Sequence, residues 1–179
     1  MNIFYVSTNP IEAAQSLCDK HVVKMILESA QLLSTAHRIL DHFTITTYTP
    51  EGKTRQKTEY VLPDKRQHVL YSVTHKNHPC AIWCRSSREN YLWLLYHFAA
   101  LLNEYEFRYG KKHKCSGDIY KALKDVPFNM KKIDFFDPPS CMDSQYVIGS
   151  DVVENYRNYY RLGKVHLHKW KRRSKPTWV

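Results

Sequence analysis

The stretch from Leu17 to Arg38 contains no glycine and no proline, and that alone commits much of the chain to a long helix. At about 3.6 residues per turn, His21, Lys24, Glu28, Gln31, Thr35 and Arg38 fall on one stripe, while Val22, Val23, Ile26, Leu27, Ala30 and Leu33 cover the other side. The expected element is a helix with an apolar back and a chemically loaded front. That front holds one carboxylate among cations and hydrogen-bonding groups. Neighbouring positive charge keeps a partly buried Glu ionised, as a general acid/base site requires. The plainer reading is a Lys24–Glu28 pair at i,i+4 on a solvated face, worth about 0.2–0.5 kcal/mol. Spacing leaves both readings open.

The rest of the sequence favours one mainly α domain over residues 1–179. At 43% hydrophobic content the chain can build a core that buries roughly 70% of the surface its unfolded form exposes. The longest apolar run, Tyr91 to Leu102 with His97 inside it, falls short of the roughly 18–20 residues that cross a bilayer, so no membrane partner is expected. Met1 to Ser7 lacks the cationic start and long apolar run of a secretion signal, which points to the cytoplasm and to five reduced cysteines. Cys80 and Cys84 sit one helical turn apart, but Cys18, Cys115 and Cys141 are scattered, so neither a metal nor a cofactor is expected. A formal net charge of +10 is the footprint of a phosphate-rich partner. The 13 Tyr and four Trp interleaved with the cations offer faces on which unpaired bases stack. A monomer that works on DNA is the expectation.

Local signals divide the chain further. Asn9-Pro10-Ile11-Glu12 supplies a cap, a Pro at N1 and a Glu at N3, predicting a short helix from Pro10 to about Cys18. Thr44–Tyr48 and Thr58–Val61 flank Pro50-Glu51-Gly52-Lys53, predicting a hairpin excursion over about 43–62 with Lys53, Arg55 and Lys57 near its tip. From Pro79 a long helix runs through Trp83, Trp93, Leu94 and Leu101 to Gly110 as its C′ residue, and it should be the most buried element, with His97 a hydrogen-bonded core residue. Ser116 to Lys124 allows a short helix, Phe128 to Met142 is irregular, and Ser150 caps a last helix that Gly163 interrupts. A basic aromatic segment, 164–179, closes the chain.

The order Leu17-x-Asp19-x-His21, followed by a Glu seven residues after the His, resembles the first helix of the pyrimidine-dimer DNA glycosylase/AP-lyase family, the phage endonuclease V type. Lys175-Pro176-Thr177-Trp178 is similar to that family's basic-Pro-Thr-Trp segment, and His78-Pro79 to the opening of its second long helix. The resemblance implies a catalytic role for Glu28 and a host-cell cytoplasm if the gene is carried by a phage. It also implies attack of a neutral amine on C1′, loss of the base and β-elimination of the strand. An α-amino group, ionising near 7.7–8.0, meets that need more readily than a lysine near 10.4. Met1 or Lys24 is the candidate amine, with His21 and Gln31 as neighbours; the remaining alternative is water activated by Glu28. The sequence departs from the family at Asn2, too bulky for the usual Met removal, and at Leu27 and Gln31, which stand where two Arg flank the family's Glu. Candidate DNA contacts are Lys20, Arg38, Lys111, Lys112, Lys114, Lys169, Trp170, Lys171, Arg172, Arg173, Lys175 and Trp178. Two competing readings remain: a non-catalytic nucleic-acid-binding protein of the same fold, and an enzyme of N-glycosidic bonds in free nucleotides or hypermodified phage DNA.

Overall fold

The computed structural model describes residues 1–54 and 56–179. Arg55, expected among the basic residues of the hairpin tip, lies outside the described residues. Among the described residues the protein is mainly α: seven α-helices and one two-stranded antiparallel hairpin. Helix α1 (Pro10–Ser16) starts where Asn9 Oδ1 accepts from the Ile11 and Glu12 amides. It stops at Leu17 and Cys18, both extended, so α2 (Asp19–Asp41) is a separate helix rather than a bent continuation.

Helix α2 does not divide into an apolar back and a polar front. Its exposed side carries Lys20, Val23, Lys24 and Leu27, with Glu28 and Gln31 half-buried beside them, so two residues assigned to the apolar back face outward. From Leu32 to Arg38 the helix is buried all round. The cause is tertiary: the hairpin β1 (Thr44–Tyr48) and β2 (Lys57–Val61) and the short α3 (Arg66–Val69) cover that end. Arg38 is 3% exposed and spends its guanidinium on the carbonyls of Tyr60, Gln67, Leu70 and Tyr71 and on Gln67 Oε1.

The hairpin pairs Thr44 with Val61 and Tyr48 with Lys57, and Gly52 supplies the left-handed residue of its turn at φ 69°. Beyond it, the expected long helix from Pro79 is two: α4 (Pro79–Ser86) and α5 (Arg88–Tyr109). Ser87 is extended; its hydroxyl accepts from the Glu89 amide and donates to the Ile133 carbonyl, while Asn90 bridges Trp83 and Phe136 across the break. Gly110 ends α5 in the left-handed conformation, as its position predicts. Helix α6 (Asp118–Leu123) is short, and α7 (Val152–Gly163) is capped by Asp151 rather than Ser150.

Helices α1 and α2 pack on α5, and α2 is as deeply buried as α5, which is not the sole central strut. Through this core runs the segment Ile3–Val6, all of it buried. Two buried charge networks tie the layers together. Arg108, fully buried, donates to Glu104, to Asp19 at 2.9 Å and to the Gln15 carbonyl, while Arg173 pairs with the same Glu104 at 2.8 Å. At the other end of α2, Arg66 donates to Asp41 and to His37 Nδ1, and His37 Nε2 meets the Tyr91 hydroxyl. His97 is a core residue, stacked on Trp93 and bonded through Nδ1 to the Pro10 carbonyl at 3.0 Å.

These networks generate two expectations. Arg108→Leu leaves Glu104 and Asp19 short of a partner in a dry site and should lower the unfolding free energy by about 3–5 kcal/mol in urea titration; a loss below about 1 kcal/mol contradicts the assignment. Burial holds His37 and His97 neutral down to a pKa of about 4. Unfolded, both titrate near about 6.5. The unfolded state therefore binds more protons between those values. Stability is complete above about pH 6.5 and drains away as pH falls toward 4, at up to about 1.4 kcal/mol per unit per histidine. Equal stability at about pH 7 and about pH 5 would contradict it.

Candidate active site

Glu28 projects from the open face of α2 toward the head of the chain. Its Oε2 accepts the Asn2 amide at 3.0 Å, and its Oε1 lies 3.3 Å from Lys24 Nζ. The Asn2 side chain locks its own segment: Oδ1 accepts from the Ile3 and Phe4 amides, and Nδ2 donates to the Cys141 carbonyl at 2.7 Å. Phe4 then takes φ 55°, a left-handed conformation that is strained for an aromatic residue and persists because surrounding contacts over-determine it. Its ring stacks on His21 at 4.2 Å and packs edge-on to Tyr160.

His21 is 5% exposed and does not belong to the open face. The Tyr160 hydroxyl accepts from the Cys18 amide and meets His21 Nδ1 at 2.8 Å. Burial, with Lys164 and Lys24 next, lowers the His21 pKa to about 4. A neutral ring already engaged on one side supports the segment that carries Met1. Gln31 stands half-buried one turn beyond Glu28.

A loop the sequence reading did not assign to the site completes it. Thr35 of α2 holds Thr74 by a reciprocal pair of bonds at 3.3 Å, and Thr74 Oγ1 meets His75 Nδ1 at 2.7 Å. His75 sits at φ 47°, and its carbonyl accepts the His78 amide. His78 then caps α4, its Nδ1 accepting the Cys80 amide at 3.2 Å. Burial lowers the His78 pKa, helped by the Met1 α-amine and His75 and opposed by Glu28. The same α-amine bears on Cys80 and Cys141, whose sulfurs lie 3.4 Å apart. The bond from Cys80 draws the Cys141 pKa down to about 7 and drives that of Cys80 up. Met1, Glu28, His78, Cys80 and Cys141 thus form one neighbourhood. The signal for the loop was present: two histidines three residues apart before a proline, in a run otherwise read as a helix start.

His78, Cys80 and Cys141 also form the one group among the described residues able to hold a metal, with ligand atoms within 4.8 Å of one another. Cys84, one turn from Cys80 and equally buried, is not part of this group.

The basic segment is a folded strap and not a loose tail. The Asp19 amide donates to the Lys169 carbonyl, the Lys171 amide donates to the Asp19 carboxylate, and the Trp170 indole donates to the Ser16 carbonyl. Trp178 packs edge-on to Tyr160 beneath Arg157. Both indoles are half-buried and engaged within the protein. Arg173 is taken by Glu104, and Arg172 donates to the Phe107 carbonyl. Among the expected phosphate contacts, Arg38 and Arg173 are thus committed inward. Lys20, Lys111, Lys112, Lys114, Lys169, Lys171 and Lys175 are exposed. Lys171 lies over the Tyr109 ring at 5.5 Å, so it shares the C-terminal end of α5 with Lys111 and Lys112.

The model of one protein family, pyrimidine dimer DNA glycosylase, matches residues 1–117, which include α1, α2, the hairpin and all of α5. The chain belongs to the pyrimidine dimer DNA glycosylase family. It is thereby an enzyme of the DNA glycosylase class, with DNA as its substrate. No curated protein and no solved structure matches the chain. No described helix is long and apolar enough to cross a membrane.

The surface separates two kinds of cation. Replacing Lys111, Lys112 and Lys171 by Ala should reduce the slope of log affinity against log salt by up to about three counterions' worth on duplex DNA. Arg38→Ala should leave that slope unchanged while lowering the melting temperature, since it orphans buried carbonyls. A changed slope for Arg38→Ala, or an unchanged one for the triple variant, contradicts this division.

Proposed function

We propose that this protein releases a damaged or modified base from DNA through attack of the Met1 α-amine on C1′, with Glu28 as the acid/base group. The observation that supports the reading is the 3.0 Å hydrogen bond from the Asn2 amide to Glu28 Oε2, which holds the head of the chain against the carboxylate. In this scheme the amine nitrogen bonds to C1′ as the bond from C1′ to the base breaks, and the base leaves with a proton. The nitrogen loses its own proton to Glu28, Glu28 passes that proton to the ring oxygen as the bond from C1′ to that oxygen breaks, and the resulting iminium stands beside the carboxylate, which is ionised again. Loss of a C2′ proton then expels the 3′ phosphate, which is the lyase step. Lys24 Nζ, 3.3 Å from Glu28 Oε1, is the second amine within reach.

The scissile bond is inaccessible within a stacked duplex, so the nucleotide must be extruded at a cost of about a few kcal/mol. Val23 and Leu27, exposed beside Lys24 and Glu28, give an extruded base or its vacated gap an apolar surface to rest on. Leu27 and Gln31 offer no charge to a phosphate, which sets this surface apart from the arginine-flanked pattern and favours a single lesion or modified base over a bulky dimer.

Glu28→Gln keeps the shape and one acceptor oxygen for the Asn2 amide, while removing the charge and the Lys24 pair. On UV-irradiated or modified-base duplex, with alkali to reveal abasic sites, base release should fall about 10²–10⁴-fold at nearly unchanged melting temperature and DNA affinity. Full turnover by this variant would return Glu28 to the role of a surface ion pair.

A further inference from the structure

Among the described cysteines, Cys80 and Cys141 are the two whose sulfurs meet, and they do so where a histidine also arrives. The three groups come from separate pieces of chain. His78 and Cys80 open α4, where a capping bond fixes the histidine ring. Cys141 belongs to the irregular segment before α7 and is held on both sides of its backbone: its amide donates to the Tyr156 hydroxyl at 3.3 Å, and its carbonyl accepts Asn2 Nδ2 at 2.7 Å. The two backbone contacts of Cys141 fix its side of the cluster without using its sulfur.

We propose that His78, Cys80 and Cys141 bind a thiophilic divalent cation of the zinc class, with three protein ligands and a fourth position left open. Zinc bonds thiolate sulfur at about 2.3 Å and imidazole nitrogen at about 2.0–2.1 Å, so tetrahedral ligand atoms stand roughly 3.4–3.8 Å apart. The sulfurs here lie 3.4 Å apart and all three ligand atoms fall within 4.8 Å of one another, a set that closes on an ion with small side-chain movements. The chemistry of the donors agrees. His78 Nδ1 accepts the Cys80 amide, so the neutral ring carries its proton on Nε2, and a cation takes the Nδ1 lone pair by displacing that capping bond. The Cys80 thiol donates to Cys141, and that proton is the one a cation displaces. Two thiolates and a neutral imidazole then balance a divalent charge, with release of the thiol protons, so uptake tightens as pH rises. Entry is from the partly exposed His78 and Cys141 side, Cys80 being fully buried. The cluster adjoins the head of the chain, yet its occupancy is observed without base release or an imine.

The test is a titration of reduced, metal-free, full-length protein with Co²⁺, followed by Zn²⁺. One Co²⁺ per chain should produce a thiolate-to-cobalt charge-transfer band that Zn²⁺ abolishes, and Zn²⁺ should raise the melting temperature. Cys141→Ser should fold as the parent does, since this residue is partly exposed, and lose both responses. His78→Asn keeps a capping acceptor at the start of α4 while removing the imidazole. Each variant should bind more than roughly 100-fold more weakly, because even the hydrogen-bond partners of metal ligands are worth about 10–100-fold. Three results would overturn the proposal. One is no charge-transfer band in the parent protein; another is a band and thermal shift that survive Cys141→Ser. The third is a Cys80–Cys141 disulfide formed in air by a protein whose reduced form takes up no cobalt.

Discussion

The arrangement rests on Arg108, a guanidinium with no solvent exposure that reaches α1 and the start of α2. Removed from water, it is tolerable only because Glu104 and Asp19 neutralise it and the Gln15 carbonyl takes a further donor. Arg173 closes the balance on Glu104 and brings the last part of the chain with it. The value of such a network is chiefly positional, because apolar residues of equal volume would hold the same core with less selectivity for register. Here the register matters. Glu28 lies nine residues beyond Asp19, about 14 Å along the helix, and the rotation set at Asp19 decides which way that carboxylate points.

From that fixed direction the chemistry follows by contact. The Glu28 carboxylate accepts the first amide after Met1, and the segment behind it passes straight into the core as Ile3 to Val6. A flexible chain end would spend most of its time elsewhere; this one is bracketed by Asn2 on Cys141, by Phe4 on His21 and by burial immediately afterwards. The strained backbone at Phe4 is the local cost of turning the chain from the site into the core. Two histidines, neutral ring against aromatic ring at His21 and helix cap at His78, hold either side of this head segment.

What the sequence disclosed was whatever is decided locally. Asn9 with Pro10, Gly52 in its turn and Gly110 at its helix end each fix a backbone conformation through the residue itself, and each is found where expected. Position 87 carried only a weak signal, two serines in the polar run from Arg85 to Asn90, and the break is fixed by the distant Ile133 carbonyl and by Asn90. Arg38 misled for the same reason. Its spacing puts it on the stripe of Lys24 and Glu28, and only the later hairpin turns that end of the helix inward. The tail's tryptophans were legible as part of a basic aromatic segment, though not the Ser16 carbonyl and the Tyr160 ring that receive them. Cys141 could not be found from the sequence at all: it lies 61 residues from Cys80 in a segment without regular structure, and only folding brings the sulfurs together.

The central claim is that the amine of Met1 and the carboxylate of Glu28 make one reactive centre. The most direct measurement is borohydride reduction during incubation with a duplex containing an abasic site, followed by proteolysis and mass mapping of the cross-linked peptide. The account predicts a single covalent DNA adduct on the α-amine of Met1. An adduct on Lys24 or another lysine, or strand cleavage with no adduct, would contradict it.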